Sequence, residues 1–438
     1  MMLVGMVTII FVGFPISFTL LFVALVFGSF GLGIERTIFL LYLQIYGTMK
    51  DDILPAVPLF IFMGFMTEQA GLMNRLFETM RNILAPVRGS LYLAVLMTAT
   101  IFAMATGIVG AAVTVLGIMA GPMMVKYGYD TRLSAGAITA GGTLGILIPP
   151  SIMLLVMAPV LGVPANYMYS GAFGPGFLLA SLYIAYCLVR SFINPKLGPP
   201  VPRAERVTDV RRLFLDFVSG VVPLTVLIGV TLGTILVGAA TATEAASCGA
   251  AGATILAMAY RKLTLQTLKA AGISTLLTSS MVLFLCAASN VFGSIFTLLG
   301  GADLITSGVL SMTAILPDTG KLLFIMAIIF LLGWPFEWPV IVLVFLPMFL
   351  PSIEALNFGM SKPDMMLWFG ILIAVNMQTA FLSPPVAMSA YFLKNVMPSW
   401  SLSMIFRGMG QFMVIQVICL VAMIFWPDIA LWLPRALK

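Results

Sequence analysis

The ten residues GTLGILIPPS, Gly142 to Ser151, lie inside a run from Leu133 to Val189 that contains no Asp, Glu, Lys, Arg or His. Such a run is long enough to cross a membrane, which takes about 20 apolar residues. Yet Pro149 and Pro150 lack backbone N–H groups and clash with the preceding turn, so no continuous helix passes through them. In hydrocarbon each unpaired backbone group costs on the order of several kcal/mol. A break placed there has to be useful, and the rest of the chain is read outward from it.

The chain has 438 residues, 61% hydrophobic and 9% charged, and its mean hydropathy is +1.12. Soluble domains carry roughly 25% charge, so a water-soluble core is excluded. Further runs without charge cover Met1 to Ile34, Gly89 to Val125, Phe217 to Thr243 and Met365 to Leu393. The fold class expected is an all-α polytopic membrane protein. A net charge of +6 reads as the topology signal of positive loops rather than as a nucleic-acid footprint. The chain has no histidine, and Cys187, Cys248, Cys286 and Cys419 stand apart in apolar surroundings. His-based proton relays, thiolate zinc sites and a disulfide framework are therefore excluded. The N-terminus has no charged leader and reads as an uncleaved first span.

Asn194 to Arg212, NPKLGPPVPRAERVTDVRR, holds five Lys/Arg, two acids and four prolines. It reads as a solvated, cytoplasmic linker by the positive-inside rule. Leu213 to Val237 then crosses outward, and Ala245 to Tyr260 returns to Arg261 and Lys262. Asn74 to Pro86, with Arg75 and Arg81, is amphipathic and is expected along the interface. The linker separates two halves with matching features. ILIPPS at Ile146 to Ser151 has a counterpart in AFLSPPVA at Ala380 to Ala387, and upstream the pairs Tyr127-Gly128 and Phe358-Gly359 each end an apolar segment.

Farther upstream each half is interrupted again, by ATGIVGAA (Ala105 to Ala112) and by GWPFEWP (Gly333 to Pro339). Only fifteen residues separate Lys321 from Glu337, and sixteen separate Glu337 from Glu354. Each arm is too short to cross a core of about 30 Å at 1.5 Å per residue, which predicts a re-entrant hairpin. The expected organisation is a first inverted repeat over 1–193, with a hairpin near 89–125 and a broken helix near 131–162. The linker follows at 194–212, then a second repeat over 213–438 with a hairpin near 321–354 and a broken helix near 364–396.

A broken membrane helix offers carbonyls to a cation at one end and N–H groups to an anion at the other. Thr143 and Ser151 flank the first break; Asn376, Gln378, Thr379 and Ser383 flank the second. Their neutral oxygens suit a hard monovalent cation such as Na⁺. Glu337, at the second tip, is read either as a cation ligand or proton carrier or as an acid at a wet turn. Glu244 in TATEAAS is read either as a membrane acid or, as the spacing to Thr241 favours, as half of a capping box. Small-residue runs such as AGAITAGG (Ala135 to Gly142) read as helix-packing surfaces.

VPLFIFMG (Val57 to Gly64), KYGYDTRLSAGAITAGGTLGILIPPSIMLLV (Lys126 to Val156), TATEAAS (Thr241 to Ser247) and TAFLSPPVA (Thr379 to Ala387) closely resemble the large membrane subunit of tripartite ATP-independent periplasmic transporters. The resemblance runs over nearly the whole chain. It implies an elevator-type secondary transporter of the ion-transporter superfamily in a bacterial inner membrane, driven by a sodium gradient and carrying small carboxylates. It also implies two partners, a small four-helix membrane subunit and a periplasmic substrate-binding protein. The small subunit is expected as a separate chain, because no such segment precedes Met1. Carried over residue by residue, the family's sodium and transport sites fall on Thr106, Gly107 and Gly110 with Gly142, Thr143, Gly145, Pro149, Pro150 and Ser151. Around the second break they fall on Glu337 with Gln378, Thr379, Ser383, Pro384 and Pro385. Two departures stand out. The first tip has Thr106 as its only hydroxyl where many members have Ser-Gly-Ser, which shifts ligation toward carbonyls; the second is the bulky WPFEWP.

The expected mechanism is Na⁺ binding at the breaks, delivery of an organic acid from the periplasm, and inward movement of a loaded transport domain. A stand-alone sodium- or proton-coupled carrier is the nearest rival. An ion channel with re-entrant loops is disfavoured by two inverted repeats in one chain. With no His, no paired carboxylates and no Ser-Lys or Cys-His pair in a motif context, the chain is not read as an enzyme.

Overall fold

The computed structural model describes residues 1–384 and 387–437, leaving the side chains at 105 and 106 undescribed. The described chain is built of helices. The first five are α1 (Met2–Val12), α2 (Ile16–Leu32), α3 (Ile34–Met49), α4 (Ala56–Gln69) and α5 (Leu72–Leu84). α4 and α5 meet at a 60° bend, where Gly71 takes a left-handed conformation (φ 70°). α5 is the amphipathic segment expected from sequence. It buries Leu72, Met73, Leu76, Phe77 and Met80 at helical spacing and leaves Arg75 and Glu78 outside.

Next come the first hairpin, α6 (Ser90–Thr106) and α7 (Val109–Lys126), and the first broken helix, α8 (Thr131–Thr143) and α9 (Ile152–Leu161). After the long α10 (Ala165–Ile193) and the linker, α11 (Val210–Gly220), α12 (Val222–Leu236) and α13 (Ala242–Ala259) follow. α14 (Leu265–Leu298), α15 (Gly301–Met312) and α16 (Asp318–Leu332) lead to the second hairpin's return arm, α17 (Trp338–Val340) and α18 (Leu346–Glu354). That arm contains a π-helical turn over Ile341–Phe345. Pro347 has no N–H for the carbonyl of Leu343, which favours such a register shift there. The chain ends with α19 (Lys362–Leu382), α20 (Met388–Val396), α21 (Leu402–Phe425) and α22 (Asp428–Ala436).

Among the described residues six helices are long and apolar enough to span a membrane, or up to seven if the bent α4–α5 pair is one span. The arms of the second hairpin are shorter, at 15 residues for α16 and 17 for Trp338–Glu354. α19 differs from the other long spans, because 89% of its apolar window is buried within the protein. It packs against α8, α9, α10, α16, α20, α21 and α22.

Close packing relies on small residues, as the run from Ala135 suggested. A Cβ on Gly136 would sit 2.7 Å from the Gly408 carbonyl of α21, and one on Gly408 would sit 2.1 Å from the Arg132 carbonyl. α8 and α21 therefore touch backbone to backbone. Gly142 has the same function toward α7: its Cβ would lie 2.3 Å from the Val113 side chain and 3.1 Å from the Val113 amide.

The order of hairpin, left-handed glycine and capped broken helix occurs twice. Gly128 (φ 70°) follows α7, and Asp130 caps α8 by accepting from the Leu133 amide at 2.8 Å. Gly359 (φ 70°) follows α18, and Ser361 caps α19 by accepting from the Asp364 amide at 3.3 Å. The linker corrects one expectation. It is not simply solvated but stitched under the first hairpin. Gly89 donates to the Gly198 carbonyl at 2.9 Å, Asp130 to that of Leu197 at 3.0 Å, and Val201 to that of Ala85 at 3.3 Å. The physical reason is that the ends of α6 and α8 expose amides that need acceptors. Glu205 completes the attachment, pairing with Lys126 at 3.1 Å and with the Tyr127 hydroxyl. The Tyr127 bond, then Lys126, holds the Glu205 carboxyl below its ordinary range.

Gly142→Ala is expected to lower the unfolding free energy by about 1–3 kcal/mol through overpacking against Val113. Gly47→Ala meets open space and should be neutral or stabilising by up to about 1 kcal/mol. Thermal unfolding of both variants in detergent checks the contrast; equal effects would show that backbone proximity at Gly142 is unimportant.

Candidate functional site

The first break begins where α8 passes into a 3-10 turn, Leu144–Ile146. Pro149 and Pro150 have no N–H to return to the carbonyls of Gly145 and Ile146 four residues back. Ser151 repairs one of these losses: its hydroxyl donates to the Ile146 carbonyl at 2.6 Å. The same oxygen caps α9, accepting from the Leu154 amide at 3.5 Å. At the second break α19 ends at Leu382, and the Ser383 carbonyl accepts from the Ala387 amide at 3.0 Å. Pro384 has no N–H for Ala380, again four residues back.

Each hairpin tip lies against that fourth residue. A Cβ on Gly145 would be 3.6 Å from Gly107 Cα, so the first tip rests on the break backbone. Gly107 itself closes α6 in a left-handed conformation (φ 61°) and donates to the Ala103 carbonyl. At the second tip a Cβ on Gly333 would lie 2.8 Å from the Ala380 side chain. Both tips therefore meet the residue whose carbonyl loses its helical donor to a proline.

The two breaks are joined to each other by side chains. Thr143 and Gln378 each stand six residues before the first proline of their break. The Thr143 hydroxyl donates to the Gln378 amide oxygen at 2.9 Å, and also lies 2.8 Å from the Ala140 carbonyl. Both side chains are fully buried. The Tyr183 hydroxyl of α10 lies near Thr143 and the Gln416 amide of α21, and both Tyr183 and Gln416 are fully buried with no hydrogen bond to their polar atoms among the described residues. Four helices thus bring polar groups to one buried region.

Between the tips and breaks lies a cavity of about 260 Å³. The first tip reaches it with Gly107 and Gly110, and the second with Glu337 and Trp338; Phe381 and Phe392 flank the second break, and Met281 comes from α14. Glu337 stands at the N-cap of α17, its own carbonyl accepting from the Val340 amide at 3.2 Å. Gly110 lets the Phe392 ring approach closely there, since a Cβ would sit 2.9 Å from the ring and push it aside.

The remaining predicted site residues are placed less uniformly. Asn376 turns away from the cavity and donates to the Met326 carbonyl of α16 at 2.8 Å, tying the second hairpin to α19. The Thr379 hydroxyl donates back to the Asn376 carbonyl at 2.6 Å, and that of Ser383 lies 3.1 Å from the Met413 sulfur. Pro149 and Pro150 are buried, whereas Pro384 is exposed. The Thr106 side chain and Pro385 lie outside the described residues. Gly142 is taken up by packing against α7. Glu244 makes the capping box its spacing favoured: its carboxylate accepts from the Thr241 amide at 2.8 Å, and Thr241 accepts from the Glu244 amide at 3.2 Å. Those bonds hold its carboxyl below the ordinary range. Sequence pattern gave no signal for Phe381, Phe392 or Met281, which are ordinary apolar residues until the fold gathers them. Gln416 left a faint one, as a lone amide between Ile415 and Val417.

The family model of the tripartite ATP-independent periplasmic transporter, DctM component, matches residues 3–429. The chain is 27% identical to the C4-dicarboxylate large permease protein DctM of Pseudomonas aeruginosa, covering 90% of this chain and 89% of that one. It is 26% identical to the ectoine large permease protein TeaC of Halomonas elongata, covering 99% and 98%. It is also 26% identical to the sialic acid large permease protein SiaM of Vibrio cholerae, covering 98% and 97%. Among solved structures, the YdaH transporter of Alcanivorax borkumensis shares the fold with a TM-score of 0.62 at 14% identity, over 92% of this chain and 89% of that one.

Thr143→Val should destabilise the protein by about 1–3 kcal/mol, since it strands the buried Gln378 amide oxygen, and Gln378→Leu should cost less, because Thr143 keeps the Ala140 carbonyl. The double variant should lose less than the sum by about 1 kcal/mol. Denaturant unfolding of all four proteins measures this coupling, and strict additivity would disprove it. Glu244→Gln keeps a residue suited to the capping box and should leave transport rate and sodium dependence unchanged; a loss of coupling would make Glu244 part of the transport machinery.

Proposed function

Because the chain belongs to the family of the DctM component of tripartite ATP-independent periplasmic transporters, we propose that it carries out sodium-coupled uptake of a small organic acid by an elevator movement. As a large permease subunit it is a multi-pass protein of the bacterial inner membrane and not an enzyme. Members of the family work with a small membrane subunit and a periplasmic binding protein. Here the small subunit is proposed as a separate four-helix chain, with the binding protein delivering the acid at the outer face.

One observation carries the reading. Two hairpin tips, each set against the residue four before a proline break, enclose a single cavity. In this reading residues 1–193 and 213–438 are inverted repeats joined by the 194–212 linker, and both hairpins are re-entrant. Na⁺ is bound as co-substrate at the two breaks. Gly107 and Gly145 with Ser151 frame the first site, and Ala380, Thr379 and Ser383 frame the second. Because Ser151 and Thr379 already donate to Ile146 and Asn376, their hydroxyl oxygens offer lone pairs while their protons are occupied. That suits a cation. Sodium charge at the breaks then offsets the cost of bringing a carboxylate into a low-dielectric chamber. The loaded hairpins and broken helices move together because α19, buried on nearly all sides, ties them into one body.

Uptake of labelled organic acids into proteoliposomes holding this chain, its small subunit and its binding protein tests the proposal. Uptake should require an inward sodium gradient and the binding protein, and Gly145→Val should abolish it by pushing the first tip off the break. Uptake that persists with neither the gradient nor the binding protein would sink the proposal.

A further inference from the structure

The chamber has a chemistry of its own that bears on which acid is carried. Among the described residues lining it, Glu337 is the only one with an ionisable side chain, and no Lys or Arg reaches it. A neighbouring cavity of about 160 Å³ shares Glu337, Trp338 and Phe381, and Glu337 is again its only charge among the described lining residues. Glu337 enters none of the ion pairs formed among the described residues. Glu337 is exposed at the cavity, so its carboxylate is open to a positive charge from outside the chain. Beside it stand the rings of Trp338, Phe381 and Phe392, surfaces that attract cations. A dianion entering here would meet a fixed negative charge and an apolar wall. A molecule with one carboxylate and one cationic nitrogen would meet sodium at the breaks and Glu337 at the second tip.

We propose that the substrate is amphoteric: a small carboxylate bearing an ammonium, quaternary ammonium or amidinium group, with that cation seated on Glu337 among the three aromatic rings. This rests on reading the chamber as the transport site, and Glu337 is then the specificity-determining residue for the cationic group. The bulky WPFEWP tip serves that purpose, with Glu337 supplying the charge and Trp338 a ring.

The test uses the full chain purified in lipid nanodiscs, with thermal unfolding as readout. NaCl is first titrated against KCl. Glycine betaine, γ-aminobutyrate and succinate are then titrated at saturating sodium. At least one of the two amphoteric probes should raise the unfolding midpoint saturably, and succinate should not at equal concentration. Glu337→Gln should weaken the amphoteric probe about tenfold or more, as expected for loss of a charge-assisted contact, without moving the sodium titration. Trp338→Leu keeps the acid and should weaken the same probe severalfold, which covers the case of a misfolded Glu337→Gln. Stabilisation by succinate alone, or by no probe in a chain that responds to sodium, overturns the proposal. So does a Glu337→Gln variant that shifts sodium dependence while leaving probe affinity intact, since Glu337 would then be a sodium ligand. A chain that binds the amphoteric probe but does not respond to sodium would support this assignment and count against sodium coupling.

Discussion

The hydrogen bond between Thr143 and Gln378 is the contact on which the arrangement depends. It joins two helices, six residues ahead of their respective prolines, between two fully buried side chains. A buried hydroxyl or amide that loses its partner there costs about 1–3 kcal/mol, so the two breaks are held in fixed register. Once that register is set, the residues four before each proline, Gly145 and Ala380, face the hairpin tips, and a chamber closes between them. Tyr183 and Gln416 bring polar groups of α10 and α21 to the same buried region.

A second constraint is the backbone's need for partners in an apolar setting. Each proline removes a donor, and the chain answers one of these losses locally, where the Ser151 hydroxyl takes the Ile146 carbonyl. Asn376 reaches across to Met326, where it binds the hairpin to the broken helix. The linker obeys the same rule on the polar side, giving the Gly198, Leu197 and Ala85 region a set of backbone bonds instead of leaving it free. Among the described residues lining the chamber Glu337 alone is charged, and it enters none of the ion pairs formed among the described residues.

Much of this was legible in advance, for identifiable reasons. Pro149, Pro150 and Pro384 act through covalent geometry, so the breaks could be placed without knowing any neighbour. The short arms on either side of Glu337 follow from rise per residue alone, and the Thr241–Glu244 box from a three-residue spacing. The roles of individual side chains were not legible in this way. Asn376 donates its amide to the Met326 carbonyl, and Gly142, read both as part of a site and as the end of a small-residue packing run, lies against Val113. A polar side chain near a break can face the cavity, a neighbouring helix or its own backbone, and spacing along one helix does not choose among them.

The sequence by itself determined the membrane class and the helix breaks at the prolines, because hydropathy and proline geometry are local properties. Only the tertiary structure decided what the breaks enclose. Thr143 meets Gln378 across 235 residues of chain, and Phe381, Phe392, Trp338 and Met281 become one chamber wall only when four separate elements converge. Such convergence is set by packing between faces that carry no mark of their partner, which is why the chamber's negative, aromatic character could be read from the fold and not from the chain.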